Sequence, residues 1–158
     1  MLQVGDIAPN FKAAASNDQT IELCEFRGKK VVLYFYSKDM TSGCTAEAND
    51  FSHYQSDFSA AGAVVIGVSK DPITSHHKFI AKYALPFLLV SDPELAVIRA
   101  YDVYKEKNMY GKKTMGVERT TFIIDEQGVI VKVYKKVRVN GHVAQVLADI
   151  QTLFAPMS

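Results

Sequence analysis

The fold is decided between residues 31 and 58, where the sequence reads VVLYFYSKDMTSGCTAEANDFSHYQSDF. Its first part, Val31–Tyr36, is a short run of apolar, aromatic and β-branched residues, which predicts a strand buried on both faces of a sheet. A polar loop, residues 37–43, follows this strand. The residues after the loop have the spacing of an amphipathic helix. The stretch therefore predicts a central strand, a loop and a helix, in that order.

The predicted helix begins between Thr41 and Thr45 and runs to Phe58. Gly62 is placed to end it, because glycine readily adopts the conformation that terminates helices. Side chains at helical spacing form its buried face: Cys44, Ala48, Phe51 and Phe58.

Cys44 consequently lies in the first turn of a helix that follows the carboxyl end of a central strand. Unpaired backbone N–H groups and the positive end of the helix dipole favour an anion at that place. A thiol there is expected to ionise below its ordinary pKa, which makes it a candidate nucleophile. Position alone also leaves open a buried, unreactive cysteine that packs like a small apolar residue.

Composition limits the class of protein. The chain has 158 residues, a net charge of +1 and 48% hydrophobic residues, which predicts one globular domain spanning residues 1–158. The balanced charge gives no indication of nucleic-acid or membrane binding. Residues 1–11 lack the basic and apolar segments of a secretion signal, and no apolar run is long enough to span a membrane. With two cysteines, we expect a reducing, cytoplasmic location without structural disulfides.

Short strands and helices alternate along the rest of the chain. Further strands are predicted at residues 20–23, 63–69, 87–90, 119–125 and 129–136. Helices are predicted at residues 24–28, 75–83, 94–101 and 141–154, and a basic loop at residues 105–116. Ser75 and Asp92 are expected to cap two of these helices. The alternation predicts an α/β protein in which helices cover a mixed sheet.

The segment around Cys44 resembles the peroxidatic-cysteine loop of peroxiredoxins, whose signature is P-x-x-x-T-x-x-C. Thr41 and Cys44 occupy its threonine and cysteine, whereas Ser37 stands at its proline. The bacterioferritin-comigratory (Q-type) branch of that family is similar over residues 4–153. Its pattern includes the segments at residues 67–69, 85–93, 109–113 and 116–125. The resemblance implies a thioredoxin fold of the peroxiredoxin type, with a central mixed sheet flanked by helices.

The resemblance further implies a thiol peroxidase that reduces hydrogen peroxide and organic hydroperoxides. Cys44 would be the nucleophile that attacks the O–O bond and becomes a sulfenic acid. Thr41 and Arg119 would hold and polarise the peroxide, and Glu47 would orient Arg119. Taken alone, each of these three residues has a simpler interpretation. Thr41 would be a helix cap, Arg119 a surface residue at a strand end, and Glu47 an acid of the first helical turn.

The predicted substrate pocket is lined by Tyr36, Ser37 and Gly43. Ser37 departs from the family, which uses a proline ring there to shield the thiol. The four histidines are scattered, and no spacing of cysteine and histidine fits a metal site. No glycine-rich phosphate loop is present either, so we expect neither a metal nor a cofactor.

The chain also departs from its branch in the resolving cysteine, which forms a disulfide with the oxidised nucleophile. The two positions that carry it in relatives correspond to Asn49 and to the neighbourhood of Ala84. Cys24 precedes the central strand and Cys44 follows it. The strand residues Lys30–Tyr36 span about 23 Å, whereas the Cα atoms of a disulfide lie within about 7 Å. We therefore interpret Cys24 as structural, with an intermolecular role as the alternative.

These departures predict a one-cysteine enzyme. Its reductant would be an external thiol such as thioredoxin, glutaredoxin or a small thiol. The alternative is a redox sensor or relay whose sulfenic acid oxidises a partner protein. We expect a monomer, with a weak dimer as the alternative.

Overall fold

The computed structural model describes residues 2–154. The predicted domain of residues 1–158 extends past them, since residue 1 and residues 155–158 lie outside the described residues. The strands are β1 (Lys12–Ala14), β2 (Thr20–Glu22), β3 (Lys30–Phe35), β4 (Ala63–Ser69), β5 (Leu88–Ser91), β6 (Tyr104–Met109), β7 (Lys112–Val117), β8 (Thr120–Ile124) and β9 (Ile130–Tyr134). The helices are α1 (Ser42–His53), α2 (Gln55–Ala60), α3 (Ile73–Tyr83), α4 (Ala96–Ala100) and α5 (His142–Leu153), and Leu23–Phe26 forms a short 3-10 helix.

A five-stranded mixed sheet of order β5-β4-β3-β8-β9 organises the fold. β3 runs parallel to β4, and β4 parallel to β5, whereas β8 is antiparallel to both β3 and β9. The predicted central strand is confirmed, because β3 pairs on both sides and residues 31–36 are at most 2% exposed. The sheet and its flanking helices confirm the predicted layered α/β fold.

Alternate residues of β3 face two separate hydrophobic clusters. Val31, Leu33 and Phe35 pack toward β1, β2 and α4 on one face of the sheet. Val32 and Tyr34 pack toward α1, α3 and α5 on the other face. This alternation follows from the pleat of a strand, whose successive side chains point to opposite faces. Cys44 belongs to the second cluster, so the helix that carries it is fixed by core packing.

Gly67 of β4 makes room for the aromatic side chains of the second cluster. Tyr34 stacks on Phe51, with ring centroids 4.5 Å apart. A Cβ at Gly67 would lie 2.9 Å from Tyr34 Cε1 and 2.8 Å from Leu89 Cδ2. A larger residue at this position would therefore push Tyr34 off the face of β4.

Three predicted helices differ in the structure. The helix predicted to run from Thr41 to Phe58 is interrupted at Tyr54, whose ψ of 12° opens the turn between α1 and α2. Residues 52–54 include neither Gly nor Pro, so the sequence carries no obvious break signal there. Phe51 and Phe58 are nevertheless both fully buried, with ring centroids 5.9 Å apart.

The two predicted helix caps were wrong in their details. α3 begins at Ile73 with Pro72 as its N-cap, and the Ser75 hydroxyl donates instead to Asp39 Oδ2 at 2.8 Å. The next helix begins at Ala96 rather than at residue 94, because its N-cap Leu95 adopts a left-handed conformation. Asp92 still accepts a hydrogen bond from a helix amide, that of Ile98, at 2.8 Å.

The predicted basic loop at residues 105–116 is instead a β-hairpin, β6–β7. Its turn, Tyr110–Gly111, has positive φ at both residues, as two-residue hairpin turns require. The strands escaped prediction because Lys112–Met115 are exposed and lack the apolar alternation of a half-buried strand. Among the described residues, no helix combines the length and apolar character needed to cross a membrane.

Candidate active site

The candidate site lies where β3 ends and α1 begins. Because β3 and β8 are antiparallel with Phe35 opposite Thr120, the residue before β8 comes level with the end of β3. That residue is Arg119. The topology thus brings a cation from the second half of the chain to the helix start that carries Cys44.

Cys44 is the third residue of α1 and is 1% exposed. Its sulfur lies 3.4 Å from Arg119 Nη2 and 3.5 Å from Ser37 Oγ. Gly43 permits the first of these contacts, because a Cβ there would lie 3.1 Å from the same guanidinium nitrogen. The sulfur is therefore held between a cation and a hydroxyl at the N-terminal turn of a helix.

The pKa of the Cys44 thiol is lowered from its ordinary value. Burial acts in the opposite direction and raises this pKa, since it disfavours the thiolate. Hydrogen bonding by the Thr41 hydroxyl, the Lys38 backbone and the Ser37 hydroxyl, with the positive charge of Arg119, more than offsets burial. The surroundings of Cys44 thus favour a thiolate, as its position in the sequence predicts.

Thr41 is the N-cap residue of α1 by its backbone, but its side chain makes no capping hydrogen bond. The Thr41 hydroxyl instead donates to the carbonyl oxygen of Lys38 at 2.8 Å. Thr41 is therefore the predicted cap residue by position, although its side chain caps no amide of α1. Thr41 is exposed, so its hydroxyl is accessible to a molecule that enters from solvent.

Arg119 bridges Cys44 and Glu47. Its Nη1 donates to Glu47 Oε1 at 2.6 Å, which is the predicted pairing, while its Nη2 faces the sulfur. Its side chain is 20% exposed and that of Glu47 is fully buried, so Arg119 is not the surface residue of the simpler interpretation. Glu47 is also not an acid of the first helical turn, because α1 begins at Ser42.

Burial raises the pKa of Glu47 to about 7, although the charge and hydrogen bond of Arg119 act to lower it. Glu47 Oε2 is buried and has no hydrogen-bond partner among the described residues. The carboxyl group therefore titrates near neutrality, and its ionised form is stabilised mainly by Arg119.

Tyr36 is buried in the same hydrophobic cluster as Cys44, and its hydroxyl donates to Asp39 Oδ1 at 2.6 Å. Asp39 belongs to a buried network with Asp71 and His76 that the sequence analysis missed. Ligand-type atoms of the three residues lie within 4.8 Å of one another. Asp71 Oδ2 accepts hydrogen bonds from Ser69 Oγ at 2.6 Å and from the Asp39 amide at 2.9 Å. Protein donors thus already contact both Asp39 oxygens and Asp71 Oδ2.

His142 is a second residue that sequence reasoning missed. It begins α5, and its Nε2 lies 2.9 Å from Thr121 Oγ1 on β8. Burial, and then the charge of Arg119, lowers the pKa of His142 to about 4. His142 is consequently neutral near pH 7 and adds no second cation beside Arg119. The sequence signal that could have indicated His142 is its position at the start of a predicted helix.

The cysteine and the two sequence positions that bear on reduction of an oxidised Cys44 are Cys24, Asn49 and Ala84. Cys24 is exposed in the 3-10 helix before β3, at the opposite end of this strand from Cys44, and neither cysteine forms a disulfide. Hydrogen bonding to Glu22 raises the pKa of Cys24, unlike that of Cys44. Asn49 is an exposed residue of α1, and Ala84 follows the C-terminus of α3 with a positive φ of 51°.

Comparison with known proteins identifies the family of this chain. Residues 4–133 match the AhpC/TSA family. The putative peroxiredoxin Bcp of Coxiella burnetii is 49% identical over 146 residues, which cover 92% of this chain and 97% of that protein. Peroxiredoxin Bcp of Bacillus subtilis is 43% identical over 152 residues, covering 96% of this chain and 97% of that protein.

A solved structure shows the same likeness. The bacterioferritin comigratory protein of Xanthomonas campestris, studied for its alkyl peroxide reduction activity, superimposes with a TM-score of 0.87 at 43% identity. The match covers 90% of this chain and 91% of that one, which confirms the predicted thioredoxin fold of the peroxiredoxin type. The chain therefore belongs to the AhpC/TSA family and is a thiol peroxidase of the peroxiredoxin branch named after bacterioferritin comigratory protein.

Proposed function

We propose that this peroxiredoxin reduces hydrogen peroxide and organic hydroperoxides by a one-cysteine mechanism, in which an external thiol regenerates Cys44. The observation that carries the proposal is the position of the Cys44 sulfur. It contacts Arg119 and Ser37, while Cys24 lies at the other end of β3. A cytoplasmic location, where small thiols and redoxins are kept reduced, is part of this proposal.

In the first step the Cys44 thiolate attacks the terminal oxygen of the peroxide. An S–O bond forms as the O–O bond breaks, which gives a sulfenic acid and an alkoxide or hydroxide that takes up a proton. Arg119 Nη2 is a donor available to a peroxide oxygen, and the Thr41 hydroxyl, whose hydrogen goes to the Lys38 carbonyl oxygen, can accept from the peroxide O–H. We assign Tyr36, Ser37 and Gly43 to the substrate pocket, where Ser37 Oγ lies 3.5 Å from the sulfur, and Glu47 orients Arg119 through the 2.6 Å contact.

Ionisation of the thiol supplies a small part of the acceleration. A free thiol with a pKa of about 8.5 is a few per cent ionised at pH 7, so full ionisation gains about 30-fold, or about 2 kcal/mol. Enzymes commonly accelerate reactions by about 10⁶-fold, or about 8 kcal/mol. Most of the effect must therefore come from placing the peroxide and stabilising the departing oxygen.

In the second step an external thiol attacks the sulfenic acid. Water leaves and a mixed disulfide forms, and a second thiol then releases Cys44 as a thiolate and leaves with the first as a disulfide. Because Cys44 is 1% exposed, the loop before α1 or its first turn must move to admit the reductant. The rate of turnover should therefore depend on both the concentration and the size of the thiol.

The test is steady-state peroxide consumption with thioredoxin, glutaredoxin or a small thiol as the reductant. We expect repeated turnover with a rate that rises with reductant concentration, and its complete loss in Cys44→Ser, because a serine hydroxyl is not an anion at neutral pH. Cys24→Ser is the matched control and should retain activity. A single turnover with every reductant would favour the sensor or relay instead. Residual activity above a few per cent in Cys44→Ser would contradict the assignment of the nucleophile.

A further inference from the structure

The loop that joins β3 to α1 is anchored by a buried pair, Asp39 and His76, whose side chains are 1% and 0% exposed. Asp39 Oδ2 lies 2.7 Å from His76 Nδ1 and accepts a hydrogen bond from Ser75 Oγ at 2.8 Å. The other oxygen, Oδ1, accepts from the Tyr36 hydroxyl at 2.6 Å. A single side chain from the loop is thus held by groups from the end of β3 and from α3.

The hydrogen bonds determine where the protons of this pair lie. His76 Nε2 is 2.9 Å from the carbonyl oxygen of Val90, which can only accept, so Nε2 carries a hydrogen. Nδ1 faces a carboxyl oxygen, so a second proton must lie between His76 and Asp39. Burial raises the pKa of Asp39, but hydrogen bonds from His76 and Tyr36 outweigh it and lower this pKa overall. Asp39 Oδ2 and His76 Nδ1 therefore share one proton across their 2.7 Å contact.

The backbone beside Asp39 is fixed as well. The Asp39 amide donates to Asp71 Oδ2 at 2.9 Å, and Met40 is held at a positive φ of 69°. Non-glycine residues rarely adopt that conformation, so the surrounding contacts must impose it. The titratable groups that face the Asp39–His76 pair are Tyr36, which directly follows β3, and Asp71, which follows β4.

The anchored loop is the same loop that contacts the peroxidatic sulfur. Ser37 Oγ is 3.5 Å from Cys44 Sγ, and the Lys38 backbone also lowers the pKa of Cys44. Both residues directly precede Asp39 in sequence. A displacement of Asp39 would therefore carry two of the groups that stabilise the thiolate away from the sulfur.

We propose that Asp39 and His76 are positioning residues of the peroxidase reaction, whose buried hydrogen-bonded contact holds residues 37–40 against the Cys44 sulfur. The proposal rests on the proposed function for its kinetic consequences. Its structural claim can be measured without peroxide, from the titration of the thiol.

Two substitutions of Asp39 separate geometry from charge. Asp39→Ala removes the anchor. Asp39→Asn keeps it, because the amide oxygen can still accept from Tyr36. The amide NH₂ can donate to Ser75 Oγ and to the Nδ1 of a neutral His76, which keeps its Nε2 hydrogen for Val90. The asparagine variant should therefore rescue much of what the alanine variant loses. Tyr101→Phe is a control, since it removes another buried hydrogen bond, to the Pro9 carbonyl at 2.7 Å, in the opposite hydrophobic cluster.

The experiment measures the thiolate absorbance of Cys44 against pH in Cys24→Ser protein, together with thermal unfolding and the second-order rate with peroxide. In Asp39→Ala we expect the pKa of Cys44 to move toward that of a free thiol. The rate should fall about tenfold or more, the factor for one lost hydrogen bond to a charged group. Tyr101→Phe should lower the unfolding temperature without moving the pKa. A folded Asp39→Ala with the parent thiol pKa and rate would overturn the proposal.

A second variant keeps the test decisive should Asp39→Ala fail to fold. His76→Asn retains a donor in place of Nδ1 and loses the bond to Val90, so it should raise the pKa of Cys44 by less. An unchanged thiol pKa in a folded His76→Asn would also count against the pair. Absence of peroxide consumption in the parent protein would overturn the proposed function instead, and the thiol titration would still test the positioning role.

Discussion

Arg119→Met removes both contacts that Arg119 makes in the candidate active site. Methionine has a comparable length but neither charge nor donor. It removes the 3.4 Å contact of Nη2 with Cys44 Sγ and the 2.6 Å contact of Nη1 with Glu47 Oε1. Glu47 is fully buried with a pKa already near 7, so the loss of its cation should leave it protonated. We therefore expect the fold to survive and the effect to fall on the reaction.

The expected magnitude follows from the two lost interactions. A hydrogen bond to a charged group contributes about 1.5–3 kcal/mol, which corresponds to about 10–150-fold in the thiolate population or its reactivity. Loss of one donor that acts in the transition state costs about 10²–10³-fold. These ranges overlap near 10², so the second-order rate constant with peroxide should fall about 10²-fold or more.

The assay is the rate of oxidation of Cys44 by hydrogen peroxide under single-turnover conditions, at several pH values. Arg119→Lys is the matched control. It keeps a positive charge but cannot contact Glu47 and the sulfur at once, so its rate should lie between those of the other two proteins. A decrease of less than fivefold in Arg119→Met would refute the reasoning and would show that Arg119 contributes little to the reaction with peroxide.

Three further predictions follow from particular contacts. The folded-state pKa of Glu47 is raised from 4.5 to about 7, so the free energy of unfolding should fall by about 3 kcal/mol as pH rises from about 4.5 to about 7. Denaturant unfolding measures this pH dependence, and Glu47→Gln should remove it. Ser37→Ala removes the 3.5 Å contact with the sulfur and should slow the reaction with peroxide about fivefold while raising the pKa of Cys44, seen by thiolate absorbance. Gly67→Ala places a Cβ 2.9 Å from Tyr34 and should cost about 1–3 kcal/mol of stability by thermal unfolding, and an unchanged midpoint would contradict the packing argument.

The parts of the fold that local sequence predicts are those with a strong pattern. β3 and β4 are continuous apolar runs, and α5 has a clear apolar face, so their positions were predicted closely. The hairpin β6–β7 has polar residues on both faces, so apolar patterning did not predict its strands. The interruption at Tyr54 escaped as well, because it involves neither glycine nor proline.

The site divides in the same way. The helix start around Cys44 is local, and the position of Arg119 follows once β8 is known to pair with β3. The Asp39–His76 pair was missed because it requires the loop after β3 to meet α3, and no spacing in the sequence encodes that meeting. The sequence predicts that Cys24 and Cys44 lie at opposite ends of the central strand. The structure places Cys24 just before β3 and Cys44 just after it, so the length of β3 separates them.

The one-cysteine mechanism is tested most directly by the product of a single oxidation. Protein treated with one equivalent of hydrogen peroxide, without reductant, should be one oxygen atom heavier by intact mass. Peptide mapping should place that oxygen on Cys44 as a trapped sulfenic acid, and excess peroxide should drive it readily to the sulfinic acid, since no internal thiol intercepts it. A quantitative disulfide between Cys24 and Cys44 within one monomer would contradict the account.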